Sequence, residues 1–324
     1  MREVVIDPTG DVTLVVSPPE KAPAYAPGTA TTATTQPQRF RVSSHNLIAG
    51  SKFFETLLTI PGSEGEGLRV DGTTVLRIPD TAPSMFTILL VLLYSPPREV
   101  AQPMDLESIT LLAVQAYYFQ CEKVLQHPSA QRSLHRLLEL LYKNAMDPRG
   151  LFVAWMYRNA EKFKEFTYSH LRHGQGDLET RQLPFPKNIV FTINHYRRGA
   201  ILRIMRALCS RVHKLQDNTL CCYMCDSFQL GVLVRELDTL RLCPACIRGE
   251  DLPYQTHSID QLLKFLDRLK NQPCIRRDAN GALSNPSGVC AAHWNQSEIE
   301  ELLSQERSNL KGLELEWFEG SYAW

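Results

Sequence analysis

The sequence lacks most of what would mark a nucleic-acid coat, a membrane protein or a common enzyme. Surplus charge is missing, because 35 Lys and Arg are matched by 35 Asp and Glu. Surfaces that hold nucleic acid or anionic lipid draw on excess cations, so neither is expected as a general partner. Long apolar runs are missing as well. The longest purely aliphatic one, Ile88 to Leu93, is far too short to cross a bilayer. The opening residues carry Glu3 and Asp7 and no apolar stretch, which does not read as a secretory signal. A soluble intracellular protein, nuclear or cytoplasmic, is expected. The phosphate-cradling GxxxxGK[ST], the dinucleotide GxGxxG, the GxSxG elbow and the HExxH pair are absent. A zinc deaminase reading of Cys243-Pro-Ala-Cys246 fails too, since no histidine has Glu two residues on. No catalytic activity is expected.

What is present begins with a change of period. In "QRFRVSSHNLIAGSKFFETLL", Phe40 and Val42 alternate with Arg39 and Arg41, as in a half-buried strand. After Ser43 the apolar positions become Leu47, Ile48, Phe53, Phe54, Leu57 and Leu58, which suit two short helices with Phe53, Phe54 and Leu57 expected in or near the core. Ser43 and Ser44 stand at the switch, where a hydroxyl can cap the first helix. "GDVTLVV" (10–16) reads as an earlier strand and "TTVLRIPD" as a later one. Residues 17–38, rich in Pro, Ala and Thr and nearly empty of large apolar groups, are expected to form a disordered loop. Two apolar helices follow, "APSMFTILLVLLYS" and "MDLESITLLAVQAYYFQCEKVLQ", with Asp105 as the cap of the second. Beyond residue 126 the periodicity is helical.

In this order, residues 10–126 resemble the BTB/POZ domain. The resemblance rests on Asp11 opening the first strand, the Leu47–Ser51–Phe54 spacing, the Ile-Pro-Asp turn, and Leu-Tyr ending an apolar helix. It is nearest to fungal BTB proteins with a C-terminal helical region, which carry a "FVAW" patch and a "C..CDS..LG.L" stretch. Here those are Phe152–Trp155 and Cys222–Leu233. The implied fold class is α+β: a small sheet with a cluster of helical hairpins (10–126), then a mostly α-helical part. The latter divides into an extension (127–173), a linker (174–188) and a cysteine-containing helical region (189–324). The resemblance implies a non-enzymatic scaffold or adaptor that binds other proteins. One alternative is a substrate adaptor of a cullin-type ubiquitin ligase. It is disfavoured because Thr73–Pro97 contains no Glu where such adaptors carry a hydrophobic-x-Glu contact. A zinc-stabilised transcription or chromatin regulator is another. Self-association is expected to be weak or nil, because only Met1–Thr9 precede the first expected strand.

The cysteines supply the sharpest local signal. Cys222-Tyr-Met-Cys225 and Cys243-Pro-Ala-Cys246 are two CxxC pairs separated by residues 226–242. Two such pairs complete the tetrahedral thiolate set that Zn²⁺ prefers. Cys290-Ala-Ala-His293 is the fallback pair. A structural zinc is therefore the candidate cofactor, set against the plain reading of these cysteines as small core residues. The segment from Arg197 to Lys214 carries Arg197, Arg198, Arg203, Arg206 and Arg211 without an acid. Ile201, Ile204, Leu208 and Val212 lie opposite at helical spacing, so the cations are expected to form a solvated face.

Overall fold

A computed structural model of the chain describes residues 2–26, 36–59, 69–70, 73–94, 104–126, 131, 145–217, 223–242, 254–270, 276–277, 283–284 and 296–318. The chain divides into two compact units. The first joins Met1–Phe166, Glu179–Pro186 and Glu314–Trp324, and the second joins Thr167–Leu178 and Lys187–Leu313. The strands and helices together make the fold α+β.

In the first unit β1 (Arg2–Val5), β2 (Val12–Val16), β3 (Gln38–Val42), β4 (Arg69–Val70) and β5 (Thr73–Ile78) form one sheet in the order β1-β3-β2-β5-β4. β2 runs antiparallel to β3, with Leu14 opposite Phe40, and parallel to β5, with Leu14 opposite Leu76. Alternation decides the faces. Val12, Leu14, Val16, Phe40, Val42, Leu76 and Ile78 are all buried, while Arg39, Arg41 and Arg77 are exposed. β1 was not expected: the residues thought merely to lead into the first strand pair in parallel with β3 of the same chain, Val4 opposite Phe40.

The strand-to-helix stretch forms α1 (Ser44–Gly50) and α2 (Lys52–Thr59). The cap differs from the expectation. Ser43 makes no side-chain cap bond. Instead the Asp11 carboxylate accepts from the Ser44 amide and the Ser44 hydroxyl, both at 2.7 Å. Burial pushes the Asp11 carboxyl up, but those Ser44 bonds outweigh it and hold the group below its ordinary value. α3 (Pro83–Tyr94) and α4 (Leu106–Tyr118) complete the helical layer, with Asp105 capping α4 through the Ser108 amide at 2.8 Å. An aromatic cluster joins these helices to the sheet. Phe119 stacks on Phe54 at 5.6 Å and meets Phe86 at 5.1 Å, and Phe86 in turn meets Phe40 edge-on.

The expected disordered loop is ordered at its start. Ser17 donates its amide to the Ile78 carbonyl and accepts from the Thr81 amide, both at 2.9 Å, and Ala26 is fully buried. Residues 27–35 of that loop lie outside the described residues. The "FVAW" patch falls in α5 (Pro148–Met156), buried throughout its length from Gly150 to Met156. What reads as one continuous helix from there is two: α5 stops, and α6 (Ala160–His173) begins after a break at Tyr157–Asn159. Phe318, from a short turn at Leu315–Phe318, packs edge-on against Phe163 at 5.8 Å within the first unit.

The second unit is built on α7 (Lys187–Asp217), with α8 (Tyr223–Thr239), α9 (Ile259–Lys270) and α10 (Gln296–Asn309). Ile201, Ile204, Leu208 and Val212 of α7 enter one core with Leu233 and Leu237 of α8 and Leu262 and Phe265 of α9. A two-residue ladder, Arg276–Arg277 against Leu283–Ser284, also belongs to this unit.

Candidate functional site

The first unit holds a cleft of about 890 Å³. Its floor comes from α2 and α4, through Phe53, Leu57, Leu111, Val114 and Gln115. One wall is the Ser17–Tyr25 segment, and the other is the turn Ile78–Ala82 at the end of β5. The two walls are tied together by the paired Ser17–Ile78 and Thr81–Ser17 bonds described above. The turn itself is tight: Asp80 has a φ of 51° and the Thr81 hydroxyl donates to the Pro79 carbonyl at 2.9 Å. A volume near this size, with an apolar floor and few polar groups, is the usual form of a binding pocket.

The cleft's chemistry is uneven. Pro18, Pro19, Pro23, Pro37 and Pro79 line it, and proline offers a carbonyl but no N–H. Gln115, only 6% exposed, donates one of its two amide N–H groups to the Ala82 carbonyl at 3.1 Å, and its buried Oε1 accepts no hydrogen bond. Glu20, Lys21, Arg77 and Asp80 stand exposed at the rim, two of each sign. The Tyr25 phenol is pushed up to about 12, by burial first and then by the neighbouring Tyr118, so it keeps its proton. Sequence reading placed Phe53 and Leu57 at or near the core; both are half-buried and face this cleft. The cleft itself was missed, although Gln115 is a polar residue set among Leu112, Ala113, Val114 and Ala116.

The candidate metal ligands are described only in part. Cys225 falls in the first turn of α8; Cys222, Cys243, Cys246, Cys290 and His293 lie outside the described residues. Among the described residues no group of three or more His, Cys, Asp or Glu stands ready to hold a metal ion. Of the segment between the two CxxC pairs, residues 226–239 lie in α8, with Leu233 and Leu237 fully buried.

In the basic stretch of α7, Arg198, Arg203 and Arg206 are exposed, as a solvated face requires, and Arg197 departs from it. Arg197 is 1% exposed and donates to the Gly174 and Gly176 carbonyls, with its guanidinium 4.8 Å above the Tyr254 ring. Burial pulls this guanidinium below its ordinary value, against the opposing pull of Tyr254 and Asp177. Gly174 is required here, because a Cβ would meet the His170 carbonyl oxygen at 2.5 Å and the guanidinium carbon at 3.2 Å. Arg198 covers the other approach to Tyr254 at 4.7 Å and pairs with Asp177. Arg203 grips the fully buried Glu306 through two bonds of 2.5 and 2.9 Å. The signal for Arg197 was its register: it lies four residues after Ile193 and four before Ile201, both buried.

No helix of the described residues is long and apolar enough to cross a membrane. No protein-family model and no curated protein matches the chain.

Proposed function

We propose that the chain is a non-enzymatic protein–protein interaction module of the BTB/POZ kind, acting as a scaffold or adaptor. The observation that carries this reading is the cleft of the first unit. It combines a largely apolar floor with a charge-balanced rim. Such a surface binds by burying apolar area, which is the main favourable term in protein association. The β2–β3 hairpin with β5 parallel to β2, followed by paired helices, supports the resemblance drawn from the sequence. In the second unit most of the cations of α7 are engaged by the protein itself, which favours a structural role for that helix over a nucleic-acid surface. The cysteine pairs are assigned a structural zinc, since a Cys₄ set leaves no open position for catalysis.

The test is affinity capture of the tagged full chain from the cells that make it, beside a Tyr118→Arg variant. Tyr118 lines the cleft and is 56% exposed, so the change places a charge at the mouth without emptying the core. A defined set of proteins held by the parent and lost from the variant is expected. Retention of every partner by the variant would remove the cleft from the function.

A further inference from the structure

The outward side of α7 carries a second surface, in the other unit from the cleft. Phe191 is 67% exposed and Tyr196 48%. A single exposed apolar side chain is ordinary, but these two adjoin a third ring. Phe191 stacks on His195 at 5.5 Å with the ring planes 17° apart, and Tyr196 meets His195 edge-on. Helical spacing continues the row. Lys187, Phe191, His195, Leu202 and Arg206 share one side of the helix, all exposed except the half-buried Leu202. At 1.5 Å per residue the row is about 28 Å long, with a cation at each end and rings and an aliphatic group between. The charges decide what can cover it. α7 has no Asp or Glu before Asp217. Arg198 is paired with Asp177 and Arg203 with Glu306, whereas among the described residues Lys187 and Arg206 have no ion pair. A second copy laid antiparallel along the row would set Lys187 against Arg206 at both ends, and one laid parallel would set each cation against itself. Both arrangements bring like charges together, which an interface penalises. A nucleic acid is held by many cations that release its counterions, and two free ones this far apart are too few.

We infer that α7 docks an amphipathic helix of a partner protein, about twenty residues long, whose apolar stripe covers Phe191, His195 and Leu202 and whose two ends present Asp or Glu to Lys187 and Arg206. This goes beyond the cleft reading, because it concerns the second unit and does not depend on what the cleft binds. Phe191 is the anchor, a large ring near the middle of the contact where binding energy concentrates. The end charges choose the partner, rejecting a helix with basic ends.

The experiment titrates the full chain with a fluorescein-labelled helical peptide of about twenty residues, carrying a leucine stripe and glutamates at both ends, and reads fluorescence anisotropy at low salt. The control peptide has lysines in place of the glutamates. The parent should bind the acidic peptide about tenfold more tightly than the basic one, the worth of two exposed ion pairs set against two repulsions. Lys187→Glu with Arg206→Glu should reverse that order. Phe191→Ala should weaken the acidic peptide about tenfold, as loss of a central aromatic anchor does. All three positions are exposed, and circular dichroism melts show that the variants fold. The proposal is overturned by no binding of the acidic peptide at about 1 mM, by equal affinity for the two peptides, or by an order that survives the charge reversal. An unchanged affinity in Phe191→Ala overturns it as well. An oligothymidylate bound more tightly than the acidic peptide overturns it in favour of nucleic acid. A parent dimer in sedimentation that Phe191→Ala dissociates overturns it in favour of a second copy. Tyr118→Arg should leave both peptides unaffected; loss of the acidic peptide there would place it in the cleft and remove α7 from the contact. Failure of the cleft reading shows elsewhere, as captured partners that survive Tyr118→Arg.

Discussion

The two units solve the burial problem with different materials. In the first, the centre is a chain of aromatic rings, Phe40, Phe86, Phe119 and Phe54, and among the described residues its buried charge is confined to Asp147, held on Arg149 at the start of α5. In the second, charge goes inside. Arg197 is buried on carbonyl oxygens and an aromatic face, and Glu306 is buried against Arg203. The difference has an energetic meaning. Apolar packing is insensitive to salt and pH, whereas a buried ion is stabilising only while its partner is in place. The first unit should fail by losing shape, and the second by losing a partner.

The largest test of this contrast concerns zinc. If the cysteine pairs hold it, chelation removes a contribution on the order of 10 kcal/mol. The second unit should then loosen while the sheet of the first persists, seen as loss of helical signal without loss of the buried Trp155 emission. Elemental analysis should find about one equivalent of zinc in protein purified without added metal. Less than about a tenth, with Cys222→Ser leaving the melting temperature unchanged, would return these cysteines to the role of core thiols.

Next in size is Phe54→Ala. Emptying the stacked position beside Phe119 should cost roughly 3–5 kcal/mol, measured by denaturant unfolding, and the loss should be the same at low and high salt. The counterpart in the second unit is Arg203→Met, which strands the buried Glu306 carboxylate. A loss of about 3 kcal/mol is expected, and the double change Arg203→Met with Glu306→Met should recover most of it. If the double variant is no better than the single, Glu306 is not held by charge pairing and the contrast between the units weakens.

The smallest effect is at Asp11. Asp11→Asn should cost about 1 kcal/mol, because its amide NH2 cannot accept one of the two Ser44 bonds. The sign with pH follows from the lowered folded value. The stabilisation is present above the ordinary carboxylate pKa and is lost as pH falls through the depressed one. Melting temperatures of parent and variant should therefore differ at neutral pH and converge in strong acid.

Where neighbours in the chain decide the structure, the sequence was legible. The period change at Ser43, the Asp105 cap and the apolar stripe of α7 all predict what is found. Contacts made at long range were not. β1 is a strand because β3 lies beside it, and "REVV" alone carries little sign of that. The helix break after Met156 was hidden for a local reason of another kind. Arg158 takes a φ of 56° and the Asn159 amide reaches back to the Ala154 carbonyl, a helix-ending motif usually marked by glycine. α4 and α8 end the same way on Gln120 and Arg241. With no glycine at any of the three, the stop signal is absent from the text. Of the candidate site, the floor residues Phe53 and Leu57 could be read as near-core, but the cleft needs the Ser17–Tyr25 wall, which composition alone marks as loop.

Phe318 closes the first unit on Phe163, and Lys164 pairs with Glu314 in the same place. On the ribosome, this means that the sheet, the α1–α4 layer and the cleft emerge well before the residues that finish their unit. Between the two, the polypeptide must lay down nearly the whole of the helical unit. The nascent first unit therefore waits, with Phe163 uncovered, until Phe318 leaves the exit tunnel. A fragment cut before Glu314 would hold the first unit in that waiting form for good.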